Sequence, residues 1–476
     1  MLDLVIRGGL VVTPEGAAPW DVLITGDRIA AVAAPGALKD VPAGRTIDAT
    51  GKIVLPGGVD PHIHCNWPVQ PGKDGGPPEM SAGSATVSRA ALYGGTTTLI
   101  DFAVWKAGET LEQAIARRDG DWRGQCHCDY SFHVTLFGKI PPTTIHELPE
   151  AMQSGFPTVK IFTTNIRPAI TDRKVGFGDI WEVFKVLGRH GGLACIHAEE
   201  DDLVMHMYEK LIAEGRVGFE NMAEVHTSLS EDLAFRHIIR LAENVEGAAL
   251  YMMHVSAGTG IAAIRESRAR GYPIYGETLH QYMLYNAEDY KRPNGQMFHT
   301  YPSLKTAADQ RALWRGTVDG EISTVATDGI CTSLCTKIHG KRIDDTTGGS
   351  AGVEPRFSVM YTEMVTKRGY SLEKFADHVS ANAARIMGLY PRKGAIAAGS
   401  DADVVIFDPT IRRKVRVEDL HEADYTPWEG HEITGWPETT ILRGKVMVEK
   451  GEFMGNGQGQ RLPRKIADRI RTRPVC

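Results

Sequence analysis

The chain has 476 residues, 42% of them hydrophobic, and a formal net charge of −6. That apolar share supplies a sizeable core, and the charge gives no electrostatic case for nucleic acid or an anionic membrane as partner. No run approaches the ~20 apolar residues of a membrane helix, and Met1-Leu2-Asp3-Leu4-Val5-Ile6-Arg7 lacks the basic head of a signal peptide, so a cytoplasmic location is expected.

Residues 1–55 read as short strands, at Leu4-Val5-Ile6-Arg7-Gly8-Gly9, Val22-Leu23-Ile24 and Arg28-Ile29-Ala30-Ala31-Val32, joined by glycine-containing turns. From 56 to 392 strand-like runs alternate with segments of helical spacing, at Ser84 to Ala91, Ile180 to His190, Glu231 to Glu243 and Thr259 to Arg270. Such alternation predicts an α/β fold with a parallel sheet. Strands return in 393–455, at Asp403-Val404-Val405-Ile406-Phe407 and Thr440 to Val448, and are expected to join the first set in one small β-sandwich domain. Residues 456–476, beginning Asn456-Gly457-Gln458-Gly459-Gln460 after Gly455, read as a flexible, basic tail.

Five segments carry chemistry, each at the end of an apolar stretch: His62-Ile63-His64, Lys160, His197, His254 and Asp328. Side chains alternate along a strand, so His62 and His64 share a side and can grip one ion. Any one of the 17 histidines is more simply a satisfied core residue or a surface residue. Five such segments in this order instead suggest a divalent-metal centre assembled by the fold. Nitrogen and oxygen donors without thiolate suit zinc, with manganese or iron as alternatives. Ligands at strand C-terminal ends match where (β/α)8 barrels keep their active sites. Seven scattered cysteines do not make a disulfide framework. Cys126 and Cys128 are read as small buried hydrophobes, and Cys331 and Cys335 are left open.

With Leu55-Pro56-Gly57-Gly58-Val59-Asp60-Pro61-His62-Ile63-His64, Ala91 to Phe102, Val159-Lys160-Ile161-Phe162, Met253-His254-Val255-Ser256, Thr327-Asp328 and Gly399 to Val405, the chain resembles the dihydropyrimidinase/hydantoinase branch of the amidohydrolase superfamily over most of its length. The resemblance implies a distorted TIM barrel, a homotetramer, and two divalent metal ions, with His62, His64 and Asp328 on one and His197 and His254 on the other. It implies that Lys160 is carboxylated by carbon dioxide and bridges both; an unmodified ammonium beside two dications would be repelled. A water made acidic by the metals would attack a cyclic amide, imide or ureide carbonyl, with Asp328 passing its proton to the leaving nitrogen.

The surroundings depart from the pattern. The family's oxyanion tyrosine, five residues after the carboxylated lysine, is here Asn165, either a substitute donor or a loop residue. The Ser-Pro-Pro-Leu-Arg run is Tyr301-Pro302-Ser303-Leu304-Lys305, with Ser303 the expected substrate contact, and Thr347 to Gly352 replaces an Asn-Gly turn. Trp67, Phe162 and Tyr301 are candidates for the pocket wall or for core packing. Retained ligands with a rewritten substrate shell mean the same chemistry on a changed small-molecule substrate. The alternative is an acyclic amide, a carbamate or an unusual lactam. A ligand-free scaffold protein or a one-metal deaminase fits less well, since all six ligands, Lys160 included, are kept.

Overall fold

Eight apolar strands, buried on both faces over nearly their whole length, form the centre of the molecule in a computed structural model that describes residues 2–70 and 77–476. They are Gly58–Asp60, Thr96–Val104, Asp129–Thr135, Thr158–Phe162, Leu193–His197, Leu250–Met252, Ile274–Leu279 and Ile322–Ala326. Each pairs in parallel with its neighbours in the chain. Double-sided burial follows from helices on the outside and interdigitated side chains within. The first and eighth strands meet through side chains as well as backbone. Thr327 donates its hydroxyl to Asp60 Oδ2 (2.6 Å), and the buried Arg356 donates to the carbonyls of Val59 (3.3 Å) and Val325 (2.9 Å). Past the strand ends His64 N–H donates to Gly329 O (2.9 Å). The barrel is therefore nearly closed and distorted at this seam.

The outer helices include Ser84–Tyr93, Phe177–His190, Ser228–Ala242, Gly258–Ala269 and Ala307–Asp319. Helix Phe177–His190 buries Ile180, Val183, Phe184 and Leu187 along one stripe and stops at Gly191, whose φ of +88° suits a residue without Cβ. Helix Ser228–Ala242 starts before the expected Glu231, because Thr227 caps it by accepting the N–H of Ser230. No helix among the described residues is long and apolar enough to cross a membrane.

Both chain ends build the second sheet, nine strands of mixed direction. Its seam is Ile53–Pro56, parallel to Leu2–Thr13 on one side and antiparallel to Val404–Lys414 on the other. Leu4, Ile6, Val22, Val54, Val404 and Ile441 share its core. The chain passes into the barrel at Gly57, where a Cβ would overlap the Thr97 side chain.

The tail is more ordered than its composition suggests. Leu462, Ile466 and Ile470 are buried against the barrel, and Leu462 N–H donates to Tyr130 O (2.7 Å). The buried Arg464 donates to Phe132 O (2.5 Å), Thr158 Oγ1 (2.7 Å) and Ser131 Oγ (2.9 Å). Burial of these three apolar residues outweighs the glycines before them. The tail covers the end of the barrel where the strands begin, opposite the metal-ligating segments.

Candidate metal centre

The six expected ligands converge at the C-terminal ends of the barrel strands. His62 and His64 follow the first strand, Lys160 lies in the fourth, His197 ends the fifth, and His254 and Asp328 follow the sixth and eighth. Nε2 of His62 and of His64 lie 3.1 and 3.0 Å from the same Asp328 oxygen. Among the described residues these three are the group whose donor atoms gather within 4.8 Å of one another. The His254 ring lies 5.5 Å from that of His62 and 4.5 Å from that of His197, centroid to centroid. His254 and Asp328 have φ of +41° and +48°. Left-handed backbone in non-glycine residues costs on the order of 1 kcal/mol or more and recurs where function requires a particular aim.

Outer contacts orient the rings. His62 Nδ1–H donates to Glu277 Oε1 (2.7 Å), which also accepts the backbone N–H of His254 (3.1 Å). His197 Nε2–H donates to Glu199 Oε2 (2.9 Å), and Glu199 Oε1 accepts from His226 Nδ1 (2.8 Å). In the neutral imidazoles of His62 and His197 these contacts leave the other ring nitrogen its lone pair for a cation. The buried Nδ1 of His64 has no partner. Burial works against charge on His62, but Glu277 and Asp328 outweigh it and lift the imidazole to about 9. Burial brings His197 down to about 4 despite Glu199. Burial opposes ionisation of Asp328, yet His62 and His64 hold it well below the usual carboxylate range.

Lys160 is fully buried with no carboxylate in ion-pair contact among the described residues. Its Nζ meets Met253 Sδ (2.9 Å) and the Phe162 ring, 4.6 Å from the centroid. Burial lowers its amine to about 8, against the pull of Asp328 and Glu277. An amine so placed has an appreciable neutral fraction near neutral pH, which carbamate formation requires. Converging donors, an orphaned imidazole nitrogen and a buried lysine without an ion-pair partner among the described residues suit a site for divalent metal.

Trp67, Phe162 and Tyr301 do line the cleft above the ligands, with Thr300, Thr347 and Gly348. Thr300 Oγ1 donates to Asp328 Oδ2 (2.8 Å). Asn165 and Ser303 are not in this wall. The Asn165 side-chain oxygen accepts the backbone N–H of Arg173 (3.0 Å) and Lys174 (2.9 Å), so the residue braces its loop. Ser303 is buried and its hydroxyl turns to His226 O (3.3 Å). The cysteines are all free. Burial pushes the Cys126 thiol up to about 12, and Cys331 packs against Glu422 while Cys335 is exposed, neither lining the cleft. Glu277, Glu199 and Thr300 escaped sequence reasoning. The first had a signal, a carboxylate inside the apolar strand Ile274–Leu279.

A hydrolase barrel with this ligand set defines a class: residues 53–447 match the amidohydrolase family, and the chain belongs to it. Within that family it lies in the hydantoinase branch. It is 34% identical to a D-hydantoinase of Streptomyces coelicolor over 97% of each chain, and 32% identical to a D-hydantoinase of Geobacillus stearothermophilus over 96% of each. The crystal structure of a dihydropyrimidinase from Brevibacillus agri superposes with a TM-score of 0.90 at 30% identity, over 98% of this chain and 100% of that one.

Proposed function

We propose that the protein opens a cyclic amide, imide or ureide ring by adding water, as hydantoinases and dihydropyrimidinases do by name. The observation that carries this reading is the convergence of His62, His64, Lys160, His197, His254 and Asp328 at the floor of one cleft. His62, His64 and Asp328 would hold one divalent cation and His197 and His254 the other, zinc being the first choice for such donors. Lys160, as its carbamate, would face both. When bound, the cations supply the Lewis acidity that makes water nucleophilic near neutral pH and polarises a carbonyl.

The chain's own residues do the rest. Asp328, with one oxygen held by Thr300, takes the proton of the attacking water and returns it to the ring nitrogen as the carbon–nitrogen bond breaks. Glu277 and Glu199 fix the imidazoles. Trp67, Phe162 and Tyr301 shape an apolar wall that excludes bulk water. The setting proposed with this activity is a homotetramer in the cytoplasm, as the family resemblance implies.

The test is hydrolysis by zinc-loaded enzyme of hydantoins, dihydrouracil and cyclic imides, with open-chain amides and carbamates alongside. Ring opening is the expected result. Turnover of open-chain compounds alone would move the enzyme to the acyclic alternative.

A further inference from the structure

Two guanidinium groups enter the cleft from the loop after the fourth strand, those of Arg167 and Arg173. That loop is built to present them. Asn165 accepts the backbone N–H of Arg173 (3.0 Å), and its own N–H donates to Asp201 (2.8 Å). The Arg173 guanidinium carbon lies 5.3 Å from the ring centroids of both Phe137 and Phe162, so the group rests beside this pair of rings. Arg167 donates one N–H to Thr346 O (3.1 Å). Neither arginine forms an ion pair with a carboxylate among the described residues. Asp201 is engaged by Lys174 (3.1 Å). Aromatic stacking satisfies none of the five N–H donors of a guanidinium.

The sign of the charge is informative. Among the described residues of the cleft wall the one carboxylate is Asp328, committed to His62 and His64, while Arg167 and Arg173 are unmatched. A neutral ring amide needs no such pair. Guanidinium forks match carboxylates in geometry and charge, and a partly desolvated site strengthens the contact.

Resting on the ring-opening reading above, we propose that the substrate carries a carboxylate on its ring substituent and that Arg173 and Arg167 bind it. Phe162 links the two parts of the site, its ring centroid 4.6 Å from Lys160 Nζ and 5.3 Å from the Arg173 guanidinium carbon. The reactive carbonyl then sits over the ligands while the acid reaches the loop. Hydrolysis adds the elements of water across one carbon–nitrogen bond, so the product carries one more carboxylate than the substrate.

The test compares 5-(2-carboxyethyl)hydantoin with its neutral isostere, 5-(2-carbamoylethyl)hydantoin. A charge-assisted contact predicts a kcat/KM preference for the acid of roughly 10-fold or more. Arg173→Gln and Arg167→Gln should each bring the ratio down towards unity, through KM for the acid. Arg173→Lys keeps the charge and should keep part of the preference, with thermal melts verifying that each variant is folded. Calorimetric titration with the two ring-opened N-carbamoyl amino acids reads the same preference without turnover. If neither hydantoin opens but binding still favours the acid in an arginine-dependent way, the ring reading falls and the anion site stands. A wild-type ratio near unity in both measurements, or one that ignores both arginines, overturns the proposal.

Discussion

The Nδ1–H of His62 and the carboxylate of Glu277 are 2.7 Å apart, both fully buried, and the same oxygen accepts the backbone N–H of His254. One carboxylate thus sets a ring from one half of the site and the strained backbone of a residue from the other. Glu277→Gln keeps the shape and removes the charge. Metal affinity should fall about 10- to 100-fold, the usual effect of removing an outer partner of a ligand. Competition with a chromogenic chelator measures it, and unchanged affinity would rule out this positioning role.

Lys160→Ala should lose both metals and turnover, by more than the ~100-fold of an outer-shell change. Short carboxylic acids such as acetate or propionate should restore part of each by occupying the place of the carbamate. Metal content by mass spectrometry alongside turnover decides it. Full activity in the unrescued variant would remove the carbamate from the mechanism.

Glu422 predicts a pH effect on stability remote from the ligands. Burial, and then the nearby Glu354, push its carboxyl up to about 8. Its Oε2 accepts the N–H of Val353 (2.9 Å) and Glu354 (3.2 Å). A raised carboxyl means that the folded state keeps a proton which the unfolded chain releases. The contribution is complete below the unfolded value near 4.5 and gone once the pH has passed about 8. Across that window the slope is at most about −1.4 kcal/mol per pH unit. Glu422→Gln should flatten the decline in denaturant melts taken between the two limits. A wild-type-like slope would sink the assignment.

Arg464 stitches the tail to the strand beginnings through three short hydrogen bonds and a longer one to Met387 O (3.3 Å). Arg464→Met strands several buried acceptors. With some offset from no longer burying a cation, the cost should be about 3 kcal/mol. Equilibrium unfolding in urea tests it, and a loss under about 0.5 kcal/mol would mean that Leu462, Ile466 and Ile470 hold the tail unaided.

The barrel and the meeting of the six candidate residues in one cleft were legible because strand-end histidines, Lys160 and Asp328 sit in local apolar contexts that need no tertiary information. The contacts of Asn165 and Ser303 were not. Asn165 turns to the backbone N–H groups of Arg173 and Lys174, eight and nine residues on, and a loop's internal hydrogen bonds leave no periodic trace in sequence. Ser303 is taken by the carbonyl of His226, which only the folded barrel brings near. Helix Ser228–Ala242 was placed late because Thr227 shows as a cap only once its hydroxyl meets Ser230. Arg167 and Arg173 carry no motif in the sequence, since nothing local reveals that Phe137 and Phe162 lie beside one of them.

The seam strand Ile53–Pro56 carries a consequence for biogenesis. Its antiparallel neighbour Val404–Lys414 leaves the ribosome only after the whole barrel has been made. At ordinary elongation speeds the nascent strand waits on the order of tens of seconds with one hydrogen-bonding edge unpaired. The order of synthesis thus makes this domain the last to close and the nascent edge the place where a chaperone would have most to shield.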